Sequence, residues 1–221
     1  MRSVGLSLLF LLSLSVLFLS CRPELTIMSY NVDNLFDDVD SGTEYEEYDP
    51  GGGRWTNEDF TDKLKAVAEV IKRAHPRGPD IVALQEVENR LCLDRLCDDH
   101  LSNLDYRYRV LVPARDQAVH CAFISRYPIT RVGALNPGYW EGRAQRMIVE
   151  AVIEVEGHSF HVFNNHWKSK IGGSRATEPA RLASSRLLAE RIGEILAEEP
   201  QADIVVLGDF NENVGEYEEY G

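Results

Sequence analysis

Apolar positions recur along this chain with two distinct periods. Over residues 62–75, Leu64, Val67, Ala68 and Ile71 fall at helical spacing, with Thr61 placed as N-cap and Pro76-Arg77-Gly78-Pro79 as the stop. A second helix is predicted over 178–198, where Leu182, Leu187, Ile192, Ile195 and Leu196 lie on or near one stripe and Pro200 ends the run. Val149, Ala151, Ile153 and Val155 alternate with Glu150, Glu154 and Glu156, the pattern of a half-buried strand, and Gly157 permits a hairpin into 159–164. Short apolar runs predict further strands over 25–30, 80–84, 108–112, 122–125 and 203–207.

Two of these strands share a context. Helix, Pro, then Asp-Ile-Val-Ala-Leu ends in Gln85-Glu86; helix, Pro, then Asp-Ile-Val-Val-Leu ends in Gly208-Asp209. Either the unit is duplicated, with both acids converging at the C-terminal ends of strands where α/β sheets place ligands, or two short apolar strands are alike by chance.

Composition narrows the class. The 221 residues suit one domain, and 44% hydrophobic with 27% charged residues excludes a disordered chain and a multi-span membrane protein. The formal charge of −13 argues against a general nucleic-acid coat protein, whose affinity comes from Lys and Arg on phosphates. That charge is uneven, however. Residues 33–62 hold 11 acids and one base, Arg54, and with Pro50 and Gly51-Gly52-Gly53 read as a solvated surface loop, whereas residues 107–191 hold 13 bases and 7 acids and suit an anionic substrate.

Residues 1–20 read as a targeting segment outside the fold, leaving 21–221 as the domain. Arg2 precedes an uncharged, Leu-rich stretch over 4–19, shorter than the roughly 20 residues of a membrane span. The ending Phe18-Leu19-Ser20-Cys21 resembles a bacterial lipoprotein signal with Cys21 as the acylated residue, which places the protein at the cell envelope, anchored to the membrane; the alternatives are an ordinary secretory signal or an uncleaved anchor. Cys92 and Cys97 are spaced for a small disulfide loop, Cys121 sits in an apolar run as a buried thiol, and no CxxC or HxxxH spacing points to zinc.

Four strand exits carry small polar or acidic groups: Asn31 and Asp33, Glu86, Asn165 and His166, then Asp209 and Asn211. Any one alone reads as a turn residue, but together they form a set of hard ligands suited to Mg²⁺ or Mn²⁺. Arg143, Arg146 and Lys168 are phosphate-binding candidates or ordinary surface cations, and Trp167 either stacks on a base or packs.

The strings Ser29-Tyr30-Asn31-Val32-Asp33-Asn34-Leu35-Phe36-Asp37, Leu84-Gln85-Glu86-Val87-Glu88-Asn89, Ser125-Arg126-Tyr127-Pro128-Ile129, Asn165-His166-Trp167-Lys168-Ser169-Lys170 and Gly208-Asp209-Phe210-Asn211 resemble, in order, the endonuclease/exonuclease/phosphatase superfamily. This deoxyribonuclease I-like group includes AP endonucleases, sphingomyelinases and inositol-phosphate phosphatases. The resemblance implies an α/β fold, a four-layer sandwich of two packed β-sheets flanked by helices. It implies Glu86 as principal Mg²⁺ ligand with Asp33 direct or water-mediated, and Asn31 and Asn211 orienting phosphate or water. It also implies that Asp209 positions or deprotonates the attacking water and that His166 donates to a non-bridging phosphate oxygen. The implied activity is Mg²⁺-dependent hydrolysis of DNA, RNA or another phosphate ester, with no protein partner expected. Family members usually end with a Ser-Asp-His-like motif, which does not occur in the ten residues after Asn211. The expectation is a C-terminally truncated domain: a fragment of a longer frame, or a catalytically impaired surface lipoprotein that keeps the fold as a binding module.

Overall fold

The computed structural model describes residues 24–114, 116–213 and 215; the targeting segment and Cys21 lie outside the described residues. In chain order the elements are β1 (Ile27–Leu35), α1 (Asn57–Ala74), β2 (Ile81–Val87), α2 (Arg90–Arg95), β3 (Tyr108–Leu111), β4 (His120–Ser125) and β5 (Ile129–Leu135). There follow β6 (Tyr139–Trp140), β7 (Arg143–Ala144), β8 (Ile148–Val155), β9 (His158–His166), α3 (Ser174–Glu198) and β10 (Asp203–Asp209).

Two four-stranded sheets form, ordered β1-β2-β4-β3 and β10-β9-β8-β5, with β6 and β7 as a separate hairpin. In each sheet one pair is parallel, β1 with β2 and β10 with β9, and the rest are antiparallel. The two parallel pairs are each joined through a helix, so the two apolar strands that follow a proline occupy comparable β–α–β units.

The alternation of side chains assigns the layers. Ile81 and Ala83 of β2, Cys121 and Phe123 of β4, Val149, Ala151 and Ile153 of β8 and Val162 of β9 form the core between the sheets. The intervening residues Val82, Leu84, Ala122 and Ile124 face outward onto Phe60, Leu64, Val67 and Ile71 of α1 and onto Cys92 and Leu93 of α2. Ile148 and Phe163 face the other way, onto Leu188 and Ile195 of α3. The result is helix, sheet, sheet, helix: the four-layer α/β sandwich. Each fully buried Phe contributes about 2–3 kcal/mol through area removed from water, and Phe36, Phe60, Phe123 and Phe163 are all in that state.

Several sequence expectations are corrected. α1 starts five residues earlier than Thr61 predicts, because Thr56 makes a capping box with Asp59 and Phe60 extends the apolar stripe. α3 likewise begins at Ser174, with Pro179 inside its second turn and Thr177 Oγ1 donating to the Gly173 carbonyl. Cys92 and Cys97 form no disulfide: both thiols are buried in the helix-side core, Cys92 Sγ donates to the Leu35 carbonyl, and burial pushes Cys97 up to about 12. Cys121 is a buried thiol as expected. The acidic stretch is not uniformly solvated, since Phe36 is buried in a ring cluster with Tyr45 and Tyr48, and Trp55 Nε1 donates to the Phe36 carbonyl.

Candidate active site

β1, β2, β9 and β10 all end at the same edge of the sandwich, and their last inward-facing residues meet there. Asn31 continues the inward parity of Ile27, and His166 and Asp209 continue that of Val162 and Leu207. Glu86 breaks its strand's parity. The register of β2 shifts between Leu84 and Val87 against β4, and Glu86 adopts a positive φ of 66°. That bulge turns its carboxylate to the Asn31 side while Val87 stays in the helix-side core. The motif residues therefore belong to the strands, not to the loops after them.

The amide of Asn31 joins two carboxylates. Its Nδ2 donates to Glu86 Oε1 at 3.1 Å and to Asp209 Oδ2 at 2.9 Å, while its Oδ1 accepts from the Asp33 backbone N–H at 3.0 Å. Glu86 Oε2 accepts from the Asn34 backbone N–H at 3.0 Å, and His166 Nε2 lies 3.3 Å from Glu86 Oε1. Asp209 Oδ1 accepts from the Asn211 backbone N–H at 2.9 Å. Among the described residues no Lys or Arg pairs with Glu86 or Asp209. Two acids held together without a cationic side chain make a site for a hard divalent cation, and oxygen donors of this kind fit Mg²⁺ or Mn²⁺.

His166 is buried beside this pair. Desolvation, reinforced by the charge of Arg146 and opposed by Asp209, pulls its imidazole down to about 3, so the ring is neutral at neutral pH. A cavity of about 1040 Å³ opens on it, lined also by Arg143, Arg146, Trp167 and Lys168. Among the described residues, the buried side-chain atoms without a hydrogen-bond partner are Arg146 Nε and His166 Nδ1, both in residues that line this cavity. A buried guanidinium N–H left unpaired, as Arg146 Nε is, is rare and calls for an anion.

The other predicted residues divide. Asp33 is exposed and its carboxylate makes no hydrogen bond or ion pair among the described residues; its carbonyl accepts from Lys63. Asn211 Nδ2 donates to the Trp167 carbonyl at 3.0 Å, so its amide clamps the β9 and β10 ends to each other. Arg143 is exposed on the β6–β7 hairpin, and Lys168 is half-buried. Trp167 packs, edge-on to Phe210 with ring centres 4.9 Å apart.

Sequence reasoning missed the supports under the site. Gln85 and Asn164 are buried between the sheets; Gln85 Nε2 donates to Asn164 Oδ1 at 2.6 Å, and Asn164 Nδ2 to the Leu84 and Ala122 carbonyls at 2.9 Å. Arg181 is buried in α3 and donates to Glu212, Thr177 Oγ1 and the Ser174 and Lys168 carbonyls, fixing the segment between β9 and α3. The signal for the amide pair was present as two polar residues interrupting apolar strands.

A second buried cluster holds Asp37, Glu88 and Cys92. Its groups are partnered: Glu88 Oε2 accepts from Asp37 N–H at 2.8 Å, and Asp37 accepts from Val39 N–H and Asn89 Nδ2 at 2.8 Å. It fastens the acidic stretch to the β2–α2 turn. Burial, aided by the Asp37 charge, raises Glu88 to about 7 from its ordinary 4.5. The native state thus retains a proton that the unfolded chain releases above about pH 4.5, and this group's contribution to stability falls as pH rises from there to about 7. Glu88→Gln, which keeps an oxygen for the Asp37 N–H, is expected to stabilise the metal-free protein by on the order of 2 kcal/mol at pH 8 and to change little at pH 4.5. Thermal unfolding in chelator at both pH values checks this; equal shifts at the two would refute it.

Comparison with known proteins agrees with this geometry. The fold matches TDP2 of Caenorhabditis elegans at TM-score 0.61 and 20% identity, over 89% of this chain and 49% of that one. It matches a β-hairpin deletion mutant of β-toxin from Staphylococcus aureus at TM-score 0.58 and 18% identity, over 89% and 71%. An endonuclease/exonuclease/phosphatase family protein from Bacteroides thetaiotaomicron matches at TM-score 0.55 and 19% identity, over 85% and 63%. The chain thus spans about half the length of the TDP2 structure. No curated protein matches it in sequence. The sequence profile of one family runs over residues 26–218, from the strand that supplies Asn31 to beyond the one that supplies Asp209. Members are phosphodiesterases, nucleases and phosphatases, generally dependent on a divalent metal. With four-layer fold, motif order and profile in agreement, the chain belongs to the endonuclease/exonuclease/phosphatase family.

Proposed function

We propose that this protein is a Mg²⁺-dependent phosphodiesterase, Mn²⁺ serving as a substitute, anchored at the cell envelope through Cys21. The observation that carries the chemistry is the juxtaposition of two carboxylates, Glu86 and Asp209, that have no Lys or Arg partner among the described residues, beside His166, which lines one cavity with Arg146. One end of the site suits a cation and the other an anion, as a metal-bound phosphate requires.

Glu86 would hold the ion, and the Asp33 carboxylate, which faces solvent, would reach it through water. Bound there, the ion supplies neutralisation of charge on the phosphate oxygens. Asp209, oriented at one oxygen by Asn31 and at the other by the Asn211 N–H, takes a proton from the attacking water. The water oxygen bonds to phosphorus as the phosphorus–oxygen bond to the leaving alcohol breaks, and the departing oxygen is protonated from solvent. His166 donates to a non-bridging oxygen as negative charge builds on it, and Arg146 holds that charge in the cavity.

A panel of bis(4-nitrophenyl) phosphate, DNA, RNA, sphingomyelin and inositol phosphates, with Mg²⁺ or chelator, tests the reading. Hydrolysis of at least one compound is expected with the metal and not without it. His166→Ala is expected to lower its kcat by roughly 10²–10³. A panel untouched under Mg²⁺ and Mn²⁺ would refute the reading.

A further inference from the structure

The cavity has an apolar rim that hydrolysis of a phosphate does not require. Ile171 and Tyr139 are the most exposed large apolar side chains among the described residues, at 83% and 69%, and both line this cavity. Lone exposed apolar residues are ordinary, but these two come from segments far apart in sequence and flank one opening. Trp140 and Tyr45 add further aromatic surface to the same lining.

Both segments are fastened. The β6–β7 hairpin is held by Gln145 N–H donating to the Gly138 carbonyl at 2.9 Å and by Gln117 Nε2 donating to the Ala144 carbonyl at 2.6 Å. The segment bearing Ile171 is held by Arg181 on the Lys168 carbonyl and by Gly173 N–H on the Lys170 carbonyl at 2.9 Å. Rims fixed in this way favour a rigid, flat ligand group, since neither side must be ordered on binding.

Charges of both signs line the cavity. Arg143, Arg146 and Lys168 line the cavity and provide for an anionic group. Around it, the acidic stretch reaches the cavity at Thr43 and Tyr45, and Asp116 and Glu141 line it directly. A long polyanion passing beyond these three cations meets the acidic stretch, whereas an uncharged ring does not. The Glu141-Gly142 tip of the hairpin is a poor surface for entering a bilayer.

Resting on the phosphodiesterase reading, we propose that the substrate is a small phosphodiester, and that an aromatic ring on its non-leaving side lies between Tyr139 and Ile171. Bis(4-nitrophenyl) phosphate and methyl 4-nitrophenyl phosphate release the same nitrophenol and differ only in the non-leaving group. With Mg²⁺ and the full chain, kcat/KM is expected to favour the diaryl ester by on the order of tenfold, mainly through KM. Tyr139→Ala and Ile171→Ala should each bring that ratio toward one, and Tyr139→Phe should preserve it. Equal kcat/KM for the two esters, or a ratio unmoved in Tyr139→Ala, overturns the inference while leaving the phosphodiesterase intact. Denatured DNA or phosphatidylcholine vesicles cleaved with a higher kcat/KM than the diaryl ester overturn it in favour of a polymer or a membrane. Hydrolysis of neither ester nor of any other compound in the panel removes both the reading and the inference.

Discussion

Glu86→Gln is expected to lower kcat by at least about 10³ and to weaken activation by Mg²⁺. Glu86 is the node of the site. Its Oε1 receives Asn31 and faces His166, and its Oε2 receives the Asn34 N–H. Glutamine preserves volume and fits the same backbone, but one terminal atom becomes an NH₂ group. Whichever way the amide turns, that group meets a donor, Asn31 Nδ2 or the Asn34 N–H, and the charge that would hold a cation is gone. A Mg²⁺ titration of the rate, beside a melting curve, separates the two consequences. Activity within tenfold of wild type would show that Glu86 is not the metal carboxylate.

The fold was legible wherever the pattern was local. Alternation along 149–155 gave β8, and the apolar runs after Pro79 and Pro200 gave β2 and β10, because a strand's faces differ in burial over a few residues. Asn31, Glu86, His166 and Asp209 could be assigned to one site because each closes an apolar strand, and parallel pairing within each sheet brings those ends together. Four features were not legible. Asp33 follows Asn31 by two residues, yet positive φ values at Asp33 and Asn34 turn the chain there, and the Asp33 carboxylate ends in solvent. Gln85 and Asn164 meet across two sheets, and no local period reports which strand of one sheet faces which of the other. The β6–β7 hairpin has two-residue strands, too short for any period to register. The Cys92–Cys97 spacing fits a small loop in an extended chain, but α2 and the π-helical turn after it carry both thiols into the core.

Gly208→Ala is expected to destabilise the protein by about 3–5 kcal/mol, a fall in Tm on the order of 10 °C, and to remove activity with it. Gly208 has φ +131°, and a Cβ there would lie 2.1 Å from the Asn165 carbonyl oxygen, 2.6 Å from its nitrogen and 2.8 Å from its carbonyl carbon. All three are backbone atoms, so no rotamer change relieves the overlap; β10 must move from β9. The residue pair next along that ladder is Asp209 with His166. Separation there breaks the bond from Asn165 Nδ2 to the Leu207 carbonyl and that from Trp167 N–H to the Asp209 carbonyl, and it withdraws Asp209 from Asn31. Gly193→Ala provides the contrast: that glycine lies in α3 with nothing within 4 Å of the added carbon, and alanine there should be neutral or stabilising by up to about 1 kcal/mol. Melting curves of the two variants check both expectations. A Gly208→Ala protein that melts within about 2 °C of wild type would mean that β10 tolerates a side chain here, and that the glycine of the Gly208-Asp209 pair serves something other than the close approach of two strands.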